Sequence, residues 1–301
     1  MSNHINLTPR DKSLLRLLSW SPATTSLLLR ASVAFDGEPF GNERRLRERL
    51  QNLIQGSLIR SWSTAHAGGG LQNYYKLTLR GFQVLYGDEA TLPSRAFFGE
   101  VSPTFFAHTF QIAEVIVEVL RACHRRRVNI ERLYRENELT MTVGDDRVLP
   151  DCFMRLTADG RPFNLAFEID ASTESIDSNA VNSIKRKLAL YDRYQEQVLT
   201  EWLHGGKAWE RPRFRVVFLT QSIERAYHIL TFAAEASQRK SRRLVYAATH
   251  ASFVTDDESL HAPIFLDHFG DWQSLIDLHP TAAYRKTRVR LAKPMESIFG
   301  V

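Results

Sequence analysis

Two short acidic stretches carry residue types that could do chemistry. Pro150-Asp151 lies in one expected strand, Arg147–Leu156, and Glu168-x-Asp170 closes the next, Phe163–Asp170. Between them, Asp159-Gly160 reads as a tight hairpin turn. Alternation along a strand puts residues 168 and 170 on one face, and strand pairing brings Asp151 beside them. Three converging carboxylates make a hard-oxygen site of the kind Mg²⁺ prefers. Such an ion can position a phosphodiester and activate water. Without a cation, three carboxylates together are electrostatically costly, so Asp151, Glu168 and Asp170 are expected to be metal ligands. A plainer role stays open for Asp170, with Ser172 and Thr173: capping the helix that follows the strand.

A second constellation is basic. The stretch from Asn42 to Gln55 places Leu46, Leu50, Leu53 and Ile54 on one stripe of a helix. The rest of that helix carries Arg44, Arg45, Arg47, Arg49, Gln51 and Asn52. Guanidinium and amide groups are what a helix needs to reach phosphates and base edges in a major groove. With Lys76 on a nearby strand, these are the expected contacts to double-stranded DNA.

The elements that must position these groups follow from local pattern. Thr8-Pro9 opens a capped helix, interrupted at Ser21-Pro22 and followed by a second helix through Val33. After the basic helix, Leu58–Trp62 and Tyr74–Leu79 alternate as two strands joined by the flexible Ala67-Gly68-Gly69-Gly70, and a short helix runs over Phe82–Tyr86. From Ser102-Pro103 to Arg121 the pattern is helical and apolar around much of its circumference. That suits a helix joining two domains or forming a homodimer seam over residues 103–121. Beyond it, strands alternate with helices. After the two acidic strands come a helix over about Ser178–Leu203, a strand Arg215–Thr220, a helix Ile223–Ala236 and a strand Leu244–Thr249. The second half is therefore expected to be an α/β domain with a mixed sheet. The expected division is residues 1–95, a linking helix over 96–126, and residues 127–301.

Composition sets outer limits. The chain has 301 residues, 44% hydrophobic and 24% charged, with a formal net charge of +5. That length holds two domains of ordinary size, and the mild basicity suits a polyanionic partner. No uninterrupted apolar run is long enough to span a bilayer, and Met1-Ser2-Asn3-His4 opens no secretory signal. Cys123 and Cys152 lack metal-ligand or disulfide spacing, so the expected compartment is a reducing cytoplasm. A basic tail, Arg285-Lys286-Thr287-Arg288-Val289-Arg290, reads equally as an edge strand or a DNA-contacting arm.

Three helices, then a hairpin with a glycine tip, resemble the winged-helix fold. Tyr75-Lys76-Leu77-Thr78-Leu79-Arg80-Gly81 resembles the Tyr-x-Leu-Thr-x-x-Gly stretch of winged-helix regulators, in which the threonine caps the next helix and the glycine allows close backbone packing. The second half resembles the PD-(D/E)XK nuclease superfamily: Asp151 matches its proline-aspartate, and Glu168 matches the glutamate of its Glu-x-Lys. Asp170 stands where the lysine belongs. Some members of that superfamily supply the lysine from the following helix, which makes Lys185 and Lys187 the candidates here; Lys187 and Tyr191 lie one turn apart. Glu131, Glu136 and Glu138 are candidates for an upstream glutamate.

The chain over about residues 8–220 is similar to the replication-relaxation family of plasmids and other mobile elements. The matching residues are Leu149-Pro150-Asp151, Phe167-Glu168-Ile169-Asp170-x-x-Thr173-Glu174 and Lys187-x-x-x-Tyr191, with Ser172 in place of the usual glycine. That resemblance implies a bacterial, nucleoid-associated DNA-binding protein acting in replication, relaxation or its transcriptional control. It leaves open an Mg²⁺-dependent endonuclease or nickase using Asp151, Glu168, Asp170 and Lys187. A protein-interaction scaffold is a third reading.

Overall fold

A computed structural model describes residues 6–65, 71–171, 176, 183–205, 213–239 and 241–277. The chain divides into two compact units, Met1–Arg125 and Arg126–Val301.

In the first unit, α1 (Pro9–Trp20) starts on a reciprocal cap. The Thr8 hydroxyl accepts from the Asp11 N–H, and the Asp11 carboxylate accepts from the Thr8 N–H. β1 (Ala23–Thr24), α2 (Thr25–Ala31) and α3 (Glu43–Gln55) follow. Leu46, Leu50 and Leu53 of α3 are fully buried, as the stripe predicted. β2 (Ile59–Ala65) and β3 (Leu71–Leu77) pair antiparallel, and β1 adds to β3, giving the order β1-β3-β2. The Thr78 hydroxyl then caps α4 (Leu79–Tyr86) by accepting from the Gly81 N–H at 3.0 Å. Gly81 lies so close to the neighbouring chain that a Cβ there would meet the Leu58 carbonyl oxygen at 1.9 Å. α5 (Arg95–Phe98) precedes α6 (Phe106–Arg126).

α6 is tied to β3 by Tyr74, whose ring sits edge-on to Phe106 and Phe110. Its buried Glu118 pairs with Arg30 of α2 and Arg121. Ile112, Val115, Ile116 and Val119 are buried in the single chain. Toward the start of the 103–121 stretch expected as a dimer seam, Phe105 is 63% exposed.

The second unit is a mixed α/β structure around a mixed sheet. β4 (Asn129–Tyr134) comes first, then a separate hairpin of β5 (Met141–Val143) and β6 (Asp146–Val148), then β7 (Cys152–Ala158) and β8 (Arg161–Asp170). The single strand expected over 147–156 is thus two strands in two sheets. Pro150 accounts for the break, since it has no N–H to give to a ladder. Asp159 and Gly160 turn the β7–β8 hairpin with φ of 48° and 71°, the left-handed pair of a type I′ turn.

α7 (Ile184–Leu203) is capped by Ser183 and begins later than expected; residues 177–182 lie outside the described chain. β9 (Arg215–Thr220), α8 (Ile223–Ala236), β10 (Val245–Thr249), α9 (His250–Thr255), β11 (Phe265–Asp267) and β12 (Trp272–Gln273) complete the unit. The sheet order is β12-β11-β10-β9-β8-β7-β4. β8, β9 and β10 run parallel; β4, β7 and β8 alternate in direction. One face of the sheet packs Phe153, Ala166, Val216 and Phe218 against Ile184, Leu188 and Tyr191 of α7 and Ile229 and Leu230 of α8. The even-numbered positions of β8, Glu168 and Asp170 among them, share that face with Ala166.

Candidate functional site

Glu168 sits in the middle of the sheet, paired in register with Phe218 of β9 and flanked on its other side by β7. Its side chain is only 3% exposed. Asp151 precedes β7 by one residue and continues that strand's pairing. Its N–H donates to the Phe167 carbonyl at 3.0 Å, and its Oδ2 accepts from the Ile169 N–H at 2.6 Å. These bonds to the residues on either side of Glu168 hold Asp151 beside it.

The first turns of α7 cover the glutamate. Lys187 Nζ lies 3.0 Å from Glu168 Oε2, and the Tyr191 hydroxyl donates to Oε1. One helical turn separates the two donors, so a single helix delivers both to one carboxylate. Lys185, the other candidate lysine, lies over the Phe232 ring instead. Burial pushes the Glu168 carboxyl up to about 7, and the charge on Asp151 adds to the rise; the Lys187 ammonium and the Tyr191 hydroxyl oppose it. Tyr191 is itself driven well above its ordinary range by burial, and further by the Glu168 charge.

Asp170 does not join this group. It receives Arg225 of α8 in two hydrogen bonds, Nε at 2.6 Å and Nη2 at 3.0 Å, and its side chain is 4% exposed. Two residues along a strand separate it from Glu168 by about 7 Å, and the arginine fork holds it at the start of α8. Of the three carboxylates expected to meet, Asp151 and Glu168 lie together with Lys187, and Asp170 is held apart by Arg225. Among the described residues no group of three or more His, Cys, Asp or Glu side chains is placed to hold a metal ion. The upstream glutamates stay apart from the site as well. Glu131 accepts from Thr157, Glu138 pairs with Arg135, and Glu136 is exposed. Ser172, Thr173 and Glu174 lie outside the described residues.

The basic candidates of the first unit separate into two kinds. Arg44, Arg45, Arg47, Gln51 and Asn52 are exposed on α3. Arg44 pairs with Glu48 at 3.0 Å and Arg47 with Glu43 at 2.6 Å, both one turn apart. Such exposed pairs are weak and do not withhold either arginine from a phosphate. Arg49 is different. Its Nε donates to Asp11 Oδ1 at 2.8 Å and its Nη2 donates to Asn6 O and Asp11 Oδ2. Asp11 is fully buried, so Arg49 clamps α3 to α1.

Lys76 is likewise engaged within the fold. It is buried, and its ammonium donates to the Gly99 carbonyl at 2.6 Å and the Ala96 carbonyl at 3.4 Å. Burial lowers it to about 8. Sequence reasoning also missed Arg10, whose guanidinium lies over the Phe40 ring at 4.0 Å. Position gave no signal for it, because a lone arginine in the first turn of a helix carries no pattern. The glycine tip 67–70 and the basic tail 285–290 lie outside the described residues.

No protein-family model matches the chain, and no curated protein matches it. Among solved structures, it is similar to the restriction endonuclease FokI, with 11% identity and a TM-score of 0.28 over 85% of this chain. The chain spans 46% of the length of that structure. A likeness of that size does not define a shared fold. Among the described residues, no helix is long and apolar enough to cross a membrane.

Proposed function

We propose that the protein holds double-stranded DNA with its first unit and hydrolyses a DNA phosphodiester at Asp151, Glu168 and Lys187 of its second. Lys187 carries this reading. The nuclease pattern requires a lysine beside the glutamate; Asp170 occupies its usual position, and α7 brings an ammonium to within 3.0 Å of Glu168 instead. The sheet supports it too. A three-stranded antiparallel run, a helix and a parallel fourth strand put the proline-aspartate and the glutamate on adjacent strands, as the PD-(D/E)XK resemblance requires. The first unit reads as a winged helix on the order of its elements, the Thr78 cap and the close approach at Gly81. Its exposed α3 side chains suit phosphates and base edges.

Two adjacent carboxylates fit a divalent cation of the Mg²⁺ type, which commonly takes one or two protein carboxylates together with substrate phosphate and water. Asp151 and Glu168 would hold it, and when bound it would supply Lewis acidity to the phosphate. The chain's own groups act as follows. Lys187 holds the Glu168 charge and presents an ammonium where a developing oxyanion needs one. Tyr191 positions the Glu168 carboxyl. Replication, relaxation or transfer of plasmid or mobile-element DNA, in a bacterial cytoplasm, is the setting the family resemblance supplies.

A second reading, DNA binding without cleavage, is favoured by the engagement of both Glu168 oxygens by Lys187 and Tyr191. Incubation with supercoiled plasmid and Mg²⁺ or Mn²⁺ separates the two. Nicked or linear product that Asp151→Asn abolishes supports hydrolysis. Binding without product supports the second reading, and equal cutting by Asp151→Asn refutes the site.

A further inference from the structure

On the α1 side of α3 the first unit has a cleft of about 280 Å³, lined by Arg10, Phe40, Arg45, Glu48, Arg49 and Asn52 among others. Its charges do not cancel. Arg49 is neutralised by Asp11, and Glu48 by Arg44. Arg45 is exposed and makes no ion pair among the described residues. Arg10 makes none either. Its Nη1 donates to the Glu38 carbonyl at 2.8 Å, its plane lies over Phe40, and its buried Nε has no partner among the described residues. A buried donor left unpaired is costly, and an oxyanion would relieve it. Two guanidiniums without counter-ions, one of them held in place by an aromatic ring and a carbonyl, make a cleft for an oxyanion.

We infer that this cleft takes a backbone phosphate of duplex DNA through Arg10 and Arg45. The inference rests on the DNA-binding reading and deepens it. Positions 45, 49 and 52 form one flank of α3, while 44, 48 and 51 form the outer face. The flank meets phosphate and fixes the register of the helix; the outer face is left for base edges. Arg10, on a different helix, becomes part of the DNA surface.

The test is fluorescence anisotropy of the full chain with a labelled duplex, in EDTA, over about 0.05–0.3 M salt. Each arginine–phosphate contact contributes about 0.9 to the slope of log affinity against log salt. Arg10→Gln with Arg45→Gln should make the slope shallower by about 1.8 and weaken binding about 60-fold at 0.1 M salt. An unrelated duplex sequence should lose as much. Arg45→Gln alone, which removes no contact within the fold, should show about half the slope change and about an eightfold loss. If the wild type binds with a steep salt slope and Arg45→Gln leaves it unchanged, the cleft is wrong and the DNA reading stands. A loss confined to one DNA sequence also overturns the phosphate assignment. If the wild type shows no salt-dependent duplex binding, the DNA reading fails and takes the cleft with it.

Discussion

Replacing Lys187 by methionine keeps most of the apolar stem and removes the charge that faces Glu168 at 3.0 Å. The effect should depend on pH. Glu168 in the folded protein titrates near 7, above its ordinary value of 4.5. Between those values the folded state keeps a proton that the unfolded chain has released. Its contribution to stability is therefore full below about pH 4.5 and is lost as pH rises through 7. Above 7 the wild type ionises against Lys187 and the loss stops. Without Lys187 the charge that opposes the rise is gone, so Glu168 ionises at still higher pH and stability keeps falling above 7. One pH unit of withheld ionisation is worth about 1.4 kcal/mol. Urea unfolding in EDTA should accordingly show Lys187→Met costing about 1.4 kcal/mol more at pH 8 than at pH 5. In a Glu168→Gln background that pH dependence should vanish. Equal costs at both pH values would refute the reasoning, because the ammonium would then not be what holds the carboxylate.

Two further outcomes follow from the first unit and the Asp151 substitution above adds a third at the proposed catalytic site. Arg49→Ala strands the fully buried Asp11 and should destabilise by about 3 kcal/mol, whereas Arg44→Ala should cost under about 0.5 kcal/mol; thermal melts of the two would rank them. Gly81→Ala forces a methyl group against the Leu58 carbonyl, 1.9 Å away, and should lower the urea midpoint by the equivalent of about 2 kcal/mol or more. An unperturbed midpoint would refute the close approach of Gly81 to the Leu58 carbonyl.

Much of this architecture was legible because it rests on local signals. The α3 stripe, the Asp159-Gly160 turn and the α8 span all come from spacing a few residues long, and the Thr78 cap came with the winged-helix resemblance. Asp151 and Glu168 were legible because a hairpin fixes who faces whom. Lys187 required knowing that α7 folds back over β8, which a strand pattern does not contain. The misread residues share one cause. Arg49, Lys76 and Asp170 look like free charges in sequence, yet each meets a partner 23 to 55 residues away. Type and periodicity describe a residue's own element and say nothing of the group brought against it. β4, β11 and β12 went unseen for a related reason: they are short or lie at the edge of the sheet, where polar faces blur the alternation.

The Asp170–Arg225 fork constrains how this sequence can drift. A lysine at position 170, two residues after Glu168, would set an ammonium against a guanidinium that is 18% exposed. Two cations confined there, with the carboxylate gone, would cost about 3–5 kcal/mol, a large part of the stability of an ordinary domain. Arg225 would have to change first or together with it. As long as Arg225 stays, position 170 is held to a carboxylate, and the ammonium beside Glu168 comes from α7 instead of from the strand.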